Sequence, residues 1–181
     1  MRTFFGLELP ADVAVQVADW RDRQPGVTGR AVPPANFHIT LAFIGEIAPG
    51  PLERLCQAVD DWLEQGRVGT GELLLDRTGY WPRPGIYWLG PGNWPEPLSQ
   101  MARKLRHLAT SAGARRDRNP FQPHITLYRN CSTPPAAPAT LPSIPLRYRD
   151  LTLFESRQGR SGVSYHPLQQ WELPPPVPRK P

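Results

Sequence analysis

The chain has 181 residues, 39% of them hydrophobic, with a net charge of +5. That length suits one domain, or two small lobes sharing a core, and leaves enough apolar material for a sizeable interior. Two cysteines rule out a disulfide framework or a cysteine-built zinc cluster. No segment approaches the length of a membrane span, and the opening MRTFFGLELP lacks the apolar run of a signal peptide, so the expectation is a cytoplasmic protein. The positive balance favours phosphate-bearing partners without proving one.

In chain order, residues 2–9 read as a strand, followed by a helix over 11–23 with Val13, Val17 and Trp20 on its core face. A second strand covers 37–45. A helix over 51–65 follows, with Leu52, Leu55, Cys56, Val59 and Leu63 on one side and Gly66 as its stop. Strands are expected over 71–80 and 85–90, joined through Pro82 and Pro84. A helix over 96–112 buries Leu98, Met101, Leu105 and Leu108, and a strand spans 121–129. After a proline-rich loop, 146–155 and 162–171 form a closing hairpin. Most of the 24 prolines fall in connections, where a missing amide donor does no harm. The order lacks a regular βαβα beat, so the expectation is an α+β fold with antiparallel sheets. Residues 1–173 form a single bilobal domain and 174–181 a proline-rich tail.

One element repeats. His38-Ile39-Thr40-Leu41 recurs as His124-Ile125-Thr126-Leu127, 86 positions later and close to half the chain. A matched string at that spacing points to two related lobes, each giving one strand to a shared site. On a strand, residues i and i+2 share a face. His38 and Thr40 therefore face one way, backed by Ile39 and Leu41, and His124 and Thr126 repeat the arrangement. Two imidazoles can serve as base and acid near neutral pH, because the free imidazole pKa is about 6.5. Two hydroxyls can donate to the non-bridging oxygens of a phosphate. This chemistry demands neither a metal nor a cofactor.

With those motifs in view, the chain resembles the 2H phosphoesterase superfamily, and within it the RNA 2′,3′-cyclic phosphodiesterases, also called 2′-5′ RNA ligases. RTFFGLELP, FHITLAFIGEI, PRPGIYWLG, PFQPHITLYR and SGVSYHPLQQWEL carry the resemblance, which covers nearly the whole chain. It implies two α+β lobes with antiparallel sheets around a cleft and helices outside. The reaction it implies opens a 2′,3′-cyclic phosphate on RNA or a small nucleotide to a 2′-phosphomonoester. On the matching positions, His38 would protonate the leaving 3′ oxygen, His124 would activate water, and Thr40 and Thr126 would hold the phosphate. The duplicated halves make a monomer sufficient.

Outside the motifs, Arg129 is a candidate phosphate clamp. Strict alternation sets it opposite His124 and Thr126, so it reaches the cleft only if the strand ends or twists there. Phe43 alternates with Ile39 and Leu41, which places it in the core. Tyr165 is a candidate for stacking on a base or touching phosphate, with ordinary sheet packing as the alternative, and Trp88 stands similarly. His107 and His166 lie outside the pattern and are not expected to be catalytic. The basic run of Arg103, Lys104, Arg106, Arg115, Arg116 and Arg118 is either a guide for RNA backbone or a solvated surface. Two other functions compete: a nucleotide- or RNA-end-binding protein with slight turnover, and 2′-5′ RNA ligation as the main activity. A pure binder has no need of a matched acid and base.

Overall fold

The computed structural model describes residues 1–176. Its strands are β1 (Arg2–Glu8), β2 (Arg30–Ala31), β3 (His38–Glu46), β4 (Gly71–Leu75), β5 (Arg77–Trp81), β6 (Ile86–Gly90), β7 (Ile125–Arg129), β8 (Ile144–Tyr148), β9 (Asp150–Gly159) and β10 (Gly162–Glu172). The helices are α1 (Ala11–Asp22), α2 (Pro49–Glu64) and α3 (Glu96–Ser111). One sheet has the order β10-β9-β1-β3 and a second β2-β7-β6-β5, while β4 and β8 pair by themselves. Every pairing is antiparallel. The fold is α+β, as the lack of a βαβα beat implied.

The halves are built alike. β1 and β3 pair across a connection containing α1, and β6 and β7 pair across one containing α3. Each helix then crosses to the other half, α1 onto β8 and α3 onto β3. The apolar stripes explain this packing. Val13, Val17 and Trp20 of α1, and Leu98, Met101 and Leu105 of α3, join one buried core with Ile39, Leu41, Ile125 and Leu127 from the backs of the repeated strands. A shared core makes the two lobes one folding unit. No helix among the described residues is long and apolar enough to cross a membrane.

Two expected strands are each divided. Residues 71–80 break at Asp76, whose amide donates to the carbonyl of Gly90 (3.1 Å), so that β4 pairs β8 while β5 pairs β6. Residues 146–155 break at Arg149 in the same way, β8 facing β4 and β9 joining β1 and β10. In both cases one residue separates the two strands and the chain changes partner there. The strand expected from 121 begins at Ile125, with His124 immediately before it. At the C-terminal end the carbonyl of Pro174 accepts the Thr70 amide (2.8 Å). Residues 177–181 of the expected tail lie outside the described residues.

Arg21 is an unusual core member, only 5% exposed. Its guanidinium lies 5.3 Å from the Phe37 ring centre and 5.6 Å from that of Tyr128, and it donates to the carbonyl of Val32. It thereby ties α1 to the residue before His38 and to the middle of β7. Arg21→Met keeps the packed stem but leaves a buried carbonyl without that donor. It should cost about 1–3 kcal/mol of stability, read as a lowered urea midpoint at unchanged slope. A midpoint equal to the parent's would show that the guanidinium holds nothing together.

Candidate active site

The two repeated motifs meet. β3 and β7 approach within 8 Å between Cα atoms, and the charge of one histidine is felt by the other. The imidazoles are held identically. His38 Nδ1 lies 2.7 Å from the carbonyl of Asn36, and His124 Nδ1 lies 2.7 Å from that of Gln122. A carbonyl only accepts, so the proton sits on Nδ1 in both rings and each Nε2 presents a lone pair. Thr40 Oγ1 is 3.0 Å from His38 Nε2 and donates to it. Thr126 makes no such bond to His124 among the described residues, which is the first asymmetry between the halves.

Each imidazole also meets an aromatic ring nearly at right angles. Tyr165 stands 4.7 Å from His38 at 73°, and Trp81 stands 4.6 Å from His124 at 86°. Phe4 and Phe154 add to the wall around His38, and Trp88 to that around His124. Trp88 lies across Gly79, its cross-strand partner, where any side chain would fall inside the indole. These rings strip water from the imidazoles. Burial pushes His38 from its ordinary value of 6.5 down to about 4, against the raising pull of the Asn36 carbonyl, with the charges of Arg129 and His124 lowering it further. His124 is lowered for the same reasons: burial first, opposed by the Gln122 carbonyl, and helped by Arg129. Both rings are therefore neutral at pH 7 in the ligand-free cleft.

The clearest departure from alternation is a pair of β-bulges. On β3, Thr40 faces Gly6 but Ala42 faces Phe5, leaving Leu41 as the extra residue. On β7, Thr126 faces Trp88 but Tyr128 faces Tyr87, leaving Leu127 as the extra residue. A bulge puts two residues against one and resets which face the following side chain takes. Arg129 accordingly returns to the cleft side, where its charge depresses both histidines. Phe43 does the same. It is 63% exposed, not in the core, and its partner Phe4 has its ring 4.9 Å from His38. One bulge per motif thus delivers an arginine on one strand and a phenylalanine on the other.

Arg129 has no carboxylate partner among the described residues, and neither has its cross-strand neighbour Arg30. Two adjacent unpaired guanidinium groups at the cleft edge repel, and an anion between them would relieve that. Among the expected candidates, Thr40 and Tyr165 touch His38, Arg129 bears on both histidines, and Trp88 backs His124, while Thr126 stands two residues beyond His124 opposite Trp88. His166 does not join them: its Nε2 lies 2.9 Å from Ser164 on the exposed side of β10. Phe4, Phe43, Trp81 and Phe154 are the cleft residues that sequence reasoning missed. Among the described residues, no three His, Cys, Asp or Glu side chains cluster as ligands for a metal ion.

The same architecture occurs in known proteins. Residues 7–88 and 89–165 each match the family described as LigT-like phosphoesterase, one segment for each motif. The chain is 34% identical to the RNA 2′,3′-cyclic phosphodiesterase of Escherichia coli, over 95% of this chain and 96% of that one. It is 29% identical to the protein of the same name from Thermus thermophilus, over 96% and 90% of the two chains. The crystal structure of Escherichia coli LigT complexed with 3′-AMP superposes with a TM-score of 0.83 at 34% identity, covering 95% of this chain and 97% of that one.

Proposed function

The chain belongs to the LigT-like phosphoesterase family, and from that premise we propose that it hydrolyses a 2′,3′-cyclic phosphate on RNA or a nucleotide to the 2′-phosphomonoester. The observation that carries this reading is the mirrored pair of imidazoles, each with Nδ1 anchored to a carbonyl two residues earlier and Nε2 left as an acceptor. One ring removes a proton from water as the water oxygen attacks phosphorus. The P–O3′ bond breaks, and the other ring gives its proton to the departing 3′ oxygen. Thr40, Thr126 and Arg129 hold the non-bridging oxygens, where charge accumulates.

The family resemblance makes His38 the donor and His124 the base. A donor must be protonated, and burial works against that in the free cleft. The bound phosphate anion supplies the correction, because a negative charge beside an imidazole raises its pKa. Thr40 then turns from donating to His38 toward the phosphate. The acid form is created by substrate binding.

Phe43 gives the nucleoside base an exposed face next to the phosphate site, with Phe4 behind it. Stacking of this kind is worth about 1–3 kcal/mol per base. Phe43→Ala is expected to raise KM for 2′,3′-cyclic AMP about tenfold or more with kcat nearly unchanged. An unaltered KM would remove Phe43 from the substrate site.

The deciding assay incubates the purified protein with 2′,3′-cyclic nucleotides, and with RNA bearing a cyclic end, in excess EDTA. The proposal expects a 2′-phosphate product, resolved from the 3′ isomer by chromatography. A 3′-phosphate product, a need for added metal, or binding without turnover would each contradict it.

A further inference from the structure

A cavity of about 710 Å³ lies between α3 and the segment leading to His124. Its helix side carries Ser99, Arg103, Arg106, His107 and Thr110, and its loop side Arg116, Asp117 and Phe121. The spacing along α3 puts the helix residues on one face, opposite the apolar stripe. His107 and the basic run, which the catalytic reading leaves unused, thus share a groove.

Its charges are mostly uncommitted. Arg106 forms the wall, donating to the carbonyl of Asn119 (2.8 Å), lying 3.4 Å from Asp117 and covering the Phe121 ring. Its Nε is buried with no acceptor among the described residues. Arg103 has only the exposed Glu96 at 3.8 Å, and Arg116 has no carboxylate partner among the described residues. Asp117 is the one acidic lining residue, and Arg106 already pairs with it. Ser99 accepts from the Trp94 indole and Thr110 donates back to its own helix, so neither competes for these cations. An arginine-lined groove matches the electrostatic half of what tracks a single-stranded phosphodiester backbone.

The groove ends close in chain to the reaction centre. Phe121 lines it, the next residue's carbonyl holds His124 Nδ1, and three residues of chain span at most about 10 Å. We propose that this groove binds the RNA strand whose cyclic-phosphate end occupies the cleft, with Arg103 and Arg116 contacting successive phosphates. The proposal rests on the cyclic-phosphodiesterase reading and adds to it a path for the strand that leads to the reacting end.

The test compares the parent with Arg103→Ala/Arg116→Ala, both exposed positions that touch neither histidine in any contact of the cleft. kcat/KM is measured on 2′,3′-cyclic AMP and on a short RNA ending in a 2′,3′-cyclic phosphate. The double variant should lose about tenfold on the RNA, chiefly in KM, and stay within about twofold on the nucleotide. In parallel, fluorescence anisotropy reads binding of a labelled RNA ending in a 2′-phosphate, which needs no turnover. Two lost phosphate contacts should make the log–log salt slope shallower by about 1.4. Equal losses on both substrates, an unchanged RNA slope, or equal competition by poly-glutamate of matched length would overturn the proposal. If the parent turns over neither substrate, the hydrolytic reading fails, and the anisotropy result still decides the groove.

Discussion

Replacing either His38 or His124 with alanine is expected to lower kcat/KM for a 2′,3′-cyclic nucleotide by about 10²–10⁴-fold, the range for a positioned general acid or base. The reasoning is geometric. Each ring is fixed by one Nδ1 bond to a backbone carbonyl and one edge-on aromatic neighbour, so no nearby imidazole can take over its position. The two groups act in one step, one taking a proton while the other gives one. The double substitution should therefore cost little more than the worse single one, because groups that work as a unit are strongly non-additive. Additive losses would mean that the histidines act in separate steps. Neither ring is part of the apolar core, and far-ultraviolet circular dichroism should be unchanged in all three variants.

Arg129→Ala is expected to cost about 10²-fold in kcat, the scale for removing one preorganised donor from an oxyanion site. Arg129→Lys should restore only part of this, since an ammonium is a point charge and lacks the fork that matches two phosphate oxygens. A second readout separates this role from mere scaffolding. The Arg129 charge lowers both imidazoles, so its removal raises both pKa values. The kcat/KM optimum should then move to higher pH in Arg129→Ala and stay in place in Arg129→Lys. A fall in rate with no shift of the optimum would place the guanidinium away from the histidines.

The repeated His-Ile-Thr-Leu string was enough to find the site's centre, because alternation along a strand is a local property. It holds in both copies as far as Leu41 and Leu127. Beyond them it fails, since a bulge is decided by cross-strand register, by Ala42 lying against Phe5 and Tyr128 against Tyr87. No local pattern carries that information. The repeat still held a usable clue: Phe43 and Arg129 each stand five residues after their histidine and had to share one fate. Alternation alone leaves Arg129 undecided and puts Phe43 in the core, a split that the repeat itself argues against. Trp81 had no such signal, being a lone aromatic before a proline-rich turn. The breaks at Asp76 and Arg149 are illegible for a similar reason, because a one-residue change of partner strand is decided by sheet pairing.

Two imidazoles moving protons in one cleft leave their mark on the pH dependence of kcat/KM in EDTA, which tests the mechanism directly. Two essential groups, one protonated and one not, give a bell centred midway between their pKa values in the free enzyme. His38 is lowered to about 4 and His124 is lowered from 6.5, so the maximum should fall on the acid side of 6.5. The kcat profile should lie at higher pH, since bound phosphate raises both values. Residual activity in His38→Ala and in His124→Ala should each lose a different limb, which identifies the acid and the base. A monotonic profile, or both variants keeping the full bell, would contradict the two-histidine mechanism.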